Sequence, residues 1–286
     1  MVNELGFASA AEAKATRDEY FRAHHSTLKG LTVASREGRL PRPFREPTLG
    51  AYWAAHCEFE RYLKPNAELA AVLRELRDDA GLRRVARLAT RTRLLTRRRD
   101  VARARTSASV RRHCIATLRC NRLVVFTNGP RAYGLRCLEA LGVREFFPDE
   151  QVFAVEDVMP ACKPERAAFE AVLLRSRRAC GDASGDGDAA DDAVDPVAAA
   201  ASRAVMFEDS MKNVRACKAL GIRTVLIDET RGAAAAGGEA ALLGDVANAA
   251  DPAVDVVLQD ISQLRGRIPS LWQRRFPVRT AASSTP

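Results

Sequence analysis

Apolar residues follow two different rhythms along this chain. From Glu4 to about Gly30, Leu5, Ala8, Ala13, Tyr20 and Phe21 recur at helical spacing, which predicts an amphipathic helical segment. Pro41, Pro43 and Pro47 interrupt it. A helix is predicted from Ala51 to Tyr62, ending before Pro65, and Asn66 is placed to cap another through Leu69, Val72, Leu73 and Leu76. After Asn121 the rhythm changes. Leu123-Val124-Val125-Phe126 is a short unbroken apolar run closed by Thr127-Asn128-Gly129, the pattern of a strand buried on both faces. Further strands are predicted at Val152–Val155, Ala204–Phe207, Thr224–Ile227 and Val254–Leu258. Helices are predicted between them, over Arg131–Leu141 (ending at Gly142), from Glu165 to about Arg177 and over Lys212–Leu220 (ending at Gly221), with one more toward Leu264. Strands and helices alternating over short joints predict an α/β fold, a parallel sheet with helices on both faces.

Two biased blocks interrupt this order. Residues 77–120 are rich in arginine and low in complexity, and read as a disordered insertion. Residues 178–202, rich in Asp, Ala and Gly, read as a surface insertion. The expected organisation is therefore a helical unit over 1–76, a core over 121–177 and 203–272, the two insertions, and a tail over 273–286.

Charge alters little outside the first block. The whole chain carries +9, yet Arg77 to Arg122 holds fifteen arginines against three aspartates, so the remainder is slightly acidic. Nucleic acid is a possible partner of that block through phosphate neutralisation, but the block has no aromatic stacking platform and the expectation is against it. Leu82, Val85, Leu88 and Leu95 could also line one face of a basic helix at a membrane surface. Seven scattered cysteines without a CxxC pair, and the dispersed His24, His25, His56 and His113, support neither a disulfide framework nor a zinc site. A reducing, cytoplasmic setting fits best, and no apolar run approaches the about 18 residues of a membrane span. Cys162 is read as a packing residue rather than an activated thiol.

In parallel sheets, ligands gather where strands end. Three polar groups occupy such places: Thr127-Asn128, Glu208-Asp209, and Lys163 beside Pro164. A hydroxyl and an amide can bind phosphate oxygens, a lysine can balance transferring charge, and paired carboxylates can hold Mg2+. Each has a bland reading as well. Thr127-Asn128 alone is a polar turn, Lys163 alone a surface lysine, and Glu208-Asp209 an acidic helix cap.

Taken in order, VVFTNG, CKPE and VMFEDSMKN resemble the second, third and fourth motifs of haloacid-dehalogenase-type (HAD) hydrolases. The longer segments FTNGPRAYGLRCLEALGV, CKPERAAFEAVL and FEDSMKNVRACKALGIRTVLI are similar to the pyrimidine 5′-nucleotidase branch, which includes proteins called suppressor of disruption of TFIIS. LGFASAAEAKATRDEYFRAHHSTLKGL and LKPNAELAAVLREL resemble its helical cap, and VDVVLQDISQLRGRIPSLW its C-terminal end. The resemblance implies a HAD-like Rossmannoid sheet with a small helical cap, acting on a phosphomonoester, a pyrimidine nucleotide, with Mg2+. Thr127, Asn128 and Lys163 would bind the phosphate and serve catalysis. Asp209 and Glu208 would hold the metal, and Ser210 and Asn213 would brace that loop.

One motif is missing. The family opens on a strand ending in a DxD-like motif whose first aspartate attacks phosphorus, and no apolar strand with that ending occurs here. Asp186-Gly187-Asp188 is the only substitute, and it lies inside the second insertion. The first core strand is therefore expected to be absent, with strand edges exposed at mid-sheet and turnover lost. The sequence leaves two other classes open: a phosphate- or nucleotide-binding pseudoenzyme, and a nucleic-acid binder using the basic block. Oligomeric state is not legible.

Overall fold

The structure is a computed structural model, and it describes residues 2–77, 123–178, 195–228 and 246–272. Apart from Arg77 the arginine-rich block lies outside these residues, as do the tail and most of the Asp/Ala/Gly-rich block.

The predicted N-terminal helix is three helices: α1 (Val2–Leu5), α2 (Ala10–His24) and α3 (Thr27–Arg36). Local chemistry makes the breaks. The Ser9 hydroxyl accepts from the Glu12 amide and starts α2. His25 turns into the left-handed region at φ 56°, and Ser26 then caps α3. Next come α4 (Glu46–His56), which starts at the Glu46-Pro47 pair well before Ala51, and α5 (Phe59–Tyr62). Asn66 caps α6 (67–77) as expected, accepting from the Leu69 amide at 2.8 Å.

Among the described residues the core contains five strands, all paired in parallel: β1 (Val125–Phe126), β2 (Val152–Phe153), β3 (Val205–Glu208), β4 (Arg223–Ile227) and β5 (Val256–Leu258). They form two sheets, β1-β2 and β3-β4-β5. The connecting helices are α7 (Arg131–Ala140), α8 (Val155–Val158), α9 (Arg166–Arg178), α10 (Pro196–Ala201) and α11 (Met211–Ala219), and α12 (Leu264–Arg267) follows β5. The α/β class with parallel sheets is therefore present. β1 pairs on one side with β2, and β3 on one side with β4; among the described residues their other edges are unpaired.

The two sheets are nevertheless held together by shared side-chain layers. On one face Leu123 and Val205 pack in a cluster with Leu76, Val225 and Leu258. On another, Phe126 and Met206 pack with Phe169, Cys217 and Ile222. Helix α6, expected within the N-terminal helical unit, packs directly against the sheets. Its Leu73 packs with Leu138, Val143 and Val152, and its Leu76 with β4 and β5. Truncating either leucine to alanine should cost about 2–5 kcal/mol. The N-terminal helices also share a cluster with the core, in which Leu5, Leu28 and Leu31 meet Val155 and Cys162.

The expected insertion over 178–202 is too wide. Asp195 caps α10 by accepting from the Val197 amide, Pro196 opens the helix, and Ala201 is fully buried beside Phe169. An alanine run read as bias is in part a packed helix.

Candidate functional site

Parallel pairing sends the carboxyl ends of β1 and β2 to one side, and likewise those of β3, β4 and β5. Lys163 shows that the two rims adjoin. Its ammonium lies 5.4 Å from the centre of the Phe126 ring at the end of β1 and donates to Glu208 Oε2 at 2.6 Å at the end of β3. Both side chains are buried, at 10% and 7% exposure. Burial raises the Glu208 carboxyl above its ordinary value, against the pull of the Lys163 ammonium.

Thr127 directly follows Phe126. Its amide continues the ladder to the Phe153 carbonyl, and its hydroxyl accepts from the Gly129 amide at 2.9 Å. Its O–H is left as a donor at the rim. Gly129 is small for a reason: a Cβ there would stand 3.2 Å from Thr127 Oγ1 and 3.4 Å from the Tyr133 ring.

The side-chain amide of Asn128 is engaged with backbone. Its Nδ2 donates to the carbonyls of His25 (3.0 Å) and Lys163 (2.8 Å), and its Oδ1 accepts from the Lys163 amide at 2.9 Å. The amide group is thus spent on backbone. Asn128 positions Lys163 and ties it to the α2–α3 turn, where Ser26 Oγ donates to the Asn128 carbonyl at 3.1 Å. A phosphate contact from its side chain would have to displace those bonds.

At the opposite rim Glu208 is buried and Asp209 exposed. The Ser210 amide donates weakly to Glu208 Oε1 at 3.4 Å, and Ser210 occupies the cap position of α11. Asn213 is buried in the first turn of that helix. Asp228, which ends β4 on the same side, is a further rim carboxylate that the sequence reading passed over. Its signal was the one used elsewhere, a polar residue straight after an apolar run.

The donor set does not by itself make a resident metal site. Among the described residues no three His, Cys, Asp or Glu side chains come together. One of the two adjacent carboxylates is already ion-paired, so a dication would sit against a buried ammonium. Mg2+ prefers six oxygens, and here most would have to come from water or a ligand. Cys162, next to Lys163, is no nucleophile. It is fully buried, donates to the His24 carbonyl at 3.0 Å, and burial pushes its thiol up to about 12.

No helix among the described residues is long and apolar enough to cross a membrane. In comparison with known proteins, no family model matches the chain and no curated protein matches it.

Proposed function

We propose that this chain is a HAD-like protein of the pyrimidine 5′-nucleotidase type that grips a nucleoside 5′-monophosphate and, as it stands, does not hydrolyse it. The observation that carries the reading is the Lys163 ammonium, buried at the rim where β1 and β3 end, with its backbone amide held by Asn128, the residue after Thr127. A fixed cation beside a hydroxyl donor and turn amides suits a phosphate dianion. Phosphate oxygens would compete with Glu208 for that ammonium, and release of Glu208 would free a carboxylate next to Asp209.

Turnover by a covalent route needs a carboxylate aimed at phosphorus. Glu208 is held by Lys163, Asp209 lies beside it on the same loop, and no acidic residue stands on the β1 side of the rim in the run Leu123–Gly129. Binding without hydrolysis is therefore favoured over the phosphomonoesterase reading. The Mg2+ implied by resemblance is part of the proposal only as an ion completed by phosphate and water.

The test is thermal unfolding with UMP or CMP, with and without Mg2+, alongside a phosphate-release assay. The expected result is nucleotide stabilisation, about 2.7 kcal/mol at a hundredfold excess over Kd, abolished by Lys163→Met, with no phosphate released. Phosphate release abolished by Asp209→Asn would restore the enzyme. Unchanged unfolding at saturating nucleotide would remove the site altogether.

A further inference from the structure

We infer that Cys57 and Cys137 form a reversible, oxidant-driven disulfide that ties helix α4 to helix α7, and with it the N-terminal helices to the core. The inference is independent of nucleotide binding.

The register of the two helices puts the thiols together. Contacts between α4 and α7 advance along both in the same direction and in equal steps. Gly50 meets Pro130, where a Cβ on the glycine would stand 3.1 Å from the proline Cβ. Three residues further along each segment, Trp53 and Tyr133 meet edge to face at 5.5 Å and 67°. Four residues further again stand Cys57 and Cys137, on the same helical faces by the i, i+3, i+7 spacing. The residues that follow Cys57 keep to this seam. The Phe59 ring lies 5.3 Å from the Tyr133 ring and 5.5 Å from the Arg136 guanidinium, and Arg136 donates to Glu60 at 3.0 Å. The two sulfurs also sense one another electrostatically. Burial raises the Cys137 thiol, a hydrogen bond with Tyr133 opposes the rise, and Cys57 adds to it.

Local structure lets the sulfurs meet. A disulfide needs α-carbons within about 7 Å of each other. Gly50 has no side chain to hold α4 away from α7. Cys57 stands at the end of α4, where its amide still bonds the Trp53 carbonyl at 2.9 Å but its ψ of 125° is already extended. It can approach Cys137 without bending a helix. Exposure also singles out this pair. Cys57 is exposed and Cys137 half-buried, whereas Cys162 and Cys217 are fully buried with thiols pushed up to about 12.

Hydrogen peroxide is the oxidant. The Cys57 thiolate attacks one peroxide oxygen, the O–O bond breaks, and the departing hydroxide takes up a proton, leaving a sulfenic acid. The Cys137 sulfur then attacks the Cys57 sulfur, the S–O bond breaks, and the Cys137 proton leaves with that hydroxide as water. Two thiols lose two electrons and two protons, and the peroxide becomes two waters. A dithiol reverses the step by exchange. In a reducing compartment such a bond forms only transiently, as an oxidant sensor does.

The experiment treats the full chain carrying Cys114→Ser, Cys120→Ser and Cys180→Ser with dilute hydrogen peroxide, and maps linked peptides by mass spectrometry. The expected product is an intramolecular Cys57–Cys137 bond that dithiothreitol returns to two thiols. Closing so long a loop should raise the unfolding temperature by roughly 4–16 °C, a rise that Cys57→Ser and Cys137→Ser each abolish. In denaturing urea the pair should lose its preference over other pairings. Oxidation of Cys57 to a sulfinic acid with Cys137 still free overturns the inference. So does a bond from Cys57 to any other cysteine or to a second copy of the chain, or a Cys57–Cys137 bond that forms equally well in urea. The linkage map needs no substitution in the pair itself.

Discussion

Lys163→Met isolates the contact on which the site depends. The substitution keeps most of the length of the side chain and removes the charge, leaving the Glu208 carboxylate buried with no counter-ion. Breaking one side of a buried pair costs about 3–5 kcal/mol, which for a domain of this size lowers Tm by roughly 6–20 °C. The lost contact with the Phe126 ring adds up to about 2 kcal/mol when desolvated. Replacing both partners, Lys163→Met with Glu208→Leu, removes the stranded charge and should bring stability back to within about 1 kcal/mol of the unsubstituted protein. The pH dependence follows from Glu208. Its folded value is already raised, and losing Lys163 raises it further. Across the window between its ordinary value and that raised value the folded chain holds a proton that the unfolded chain releases, so stability falls as pH rises. The Lys163→Met deficit should therefore be largest near neutrality and shrink, below the ordinary glutamate value of 4.5, to the part owed to the lost Phe126 contact. Urea unfolding of the two single variants and the double, at pH 7 and pH 5, measures all of this. Additive single effects, or a Lys163→Met deficit that does not shrink on acidification, would refute the buried-pair argument.

Three further outcomes are expected. Asn128→Ala strips the Lys163 amide of its acceptor and should cost about 1–3 kcal/mol for each buried group left unpaired; hydrogen exchange should quicken at Lys163 far more than at Val225 or Leu226. Asp255 is pulled upward by burial, but Lys218 and the Thr224 amide and hydroxyl outweigh this, so its carboxyl titrates below the ordinary 3.8. Its contribution is present above 3.8 and is lost as pH falls through the lower folded value, so Asp255→Asn should be less stable at pH 6 and indistinguishable from the unsubstituted protein in acid unfolding near pH 2. Cys162 should resist alkylation at pH 8 at a rate set by opening of the fold, speeding with sub-denaturing urea while Cys57 reacts at once in either condition.

Much of the core was legible because its signals are local. Each apolar run became a parallel strand within one or two residues of its predicted ends, and Gly142 and Gly221, where helices were expected to stop, hold φ of 69° and 85°. What escaped needed partners distant in sequence. His25 carries no glycine-like mark, yet the turn it makes is fixed by Asn128, over a hundred residues away. Helix α6 shows an ordinary amphipathic stripe, and only the sheets reveal that the stripe faces the core. The Asn128 amide could equally bind ligand or backbone, and local sequence does not say which. The α10 helix was hidden because its alanines match the composition of the block before it, although Asp195-Pro196 already spelled a helix start.

Stability and binding meet at the seam between the two sheets. The facing edges of β1 and β3 share no ladder among the described residues, and the strand residues beside the seam are only half buried, with Phe207 at 38% exposure. Backbone hydrogen bonds therefore cannot set the spacing of the two rims there. That spacing is set by side chains: Leu123 and Val205 through α6 on one face, Phe126 and Met206 through Phe169 on the other, and Lys163 with Glu208 at the rim. Apolar layers fix distance but are indifferent to what sits at the strand ends. The ion pair is the one directional element of the three, and it is also the group a phosphate would engage. A ligand that draws Lys163 from Glu208 must then offset the desolvation of the released carboxylate, so its measured affinity will understate the strength of its contact with the ammonium. Glu208→Gln, which removes that competition while keeping a hydrogen-bonding partner for Lys163, should tighten phosphate binding even as it loosens the seam.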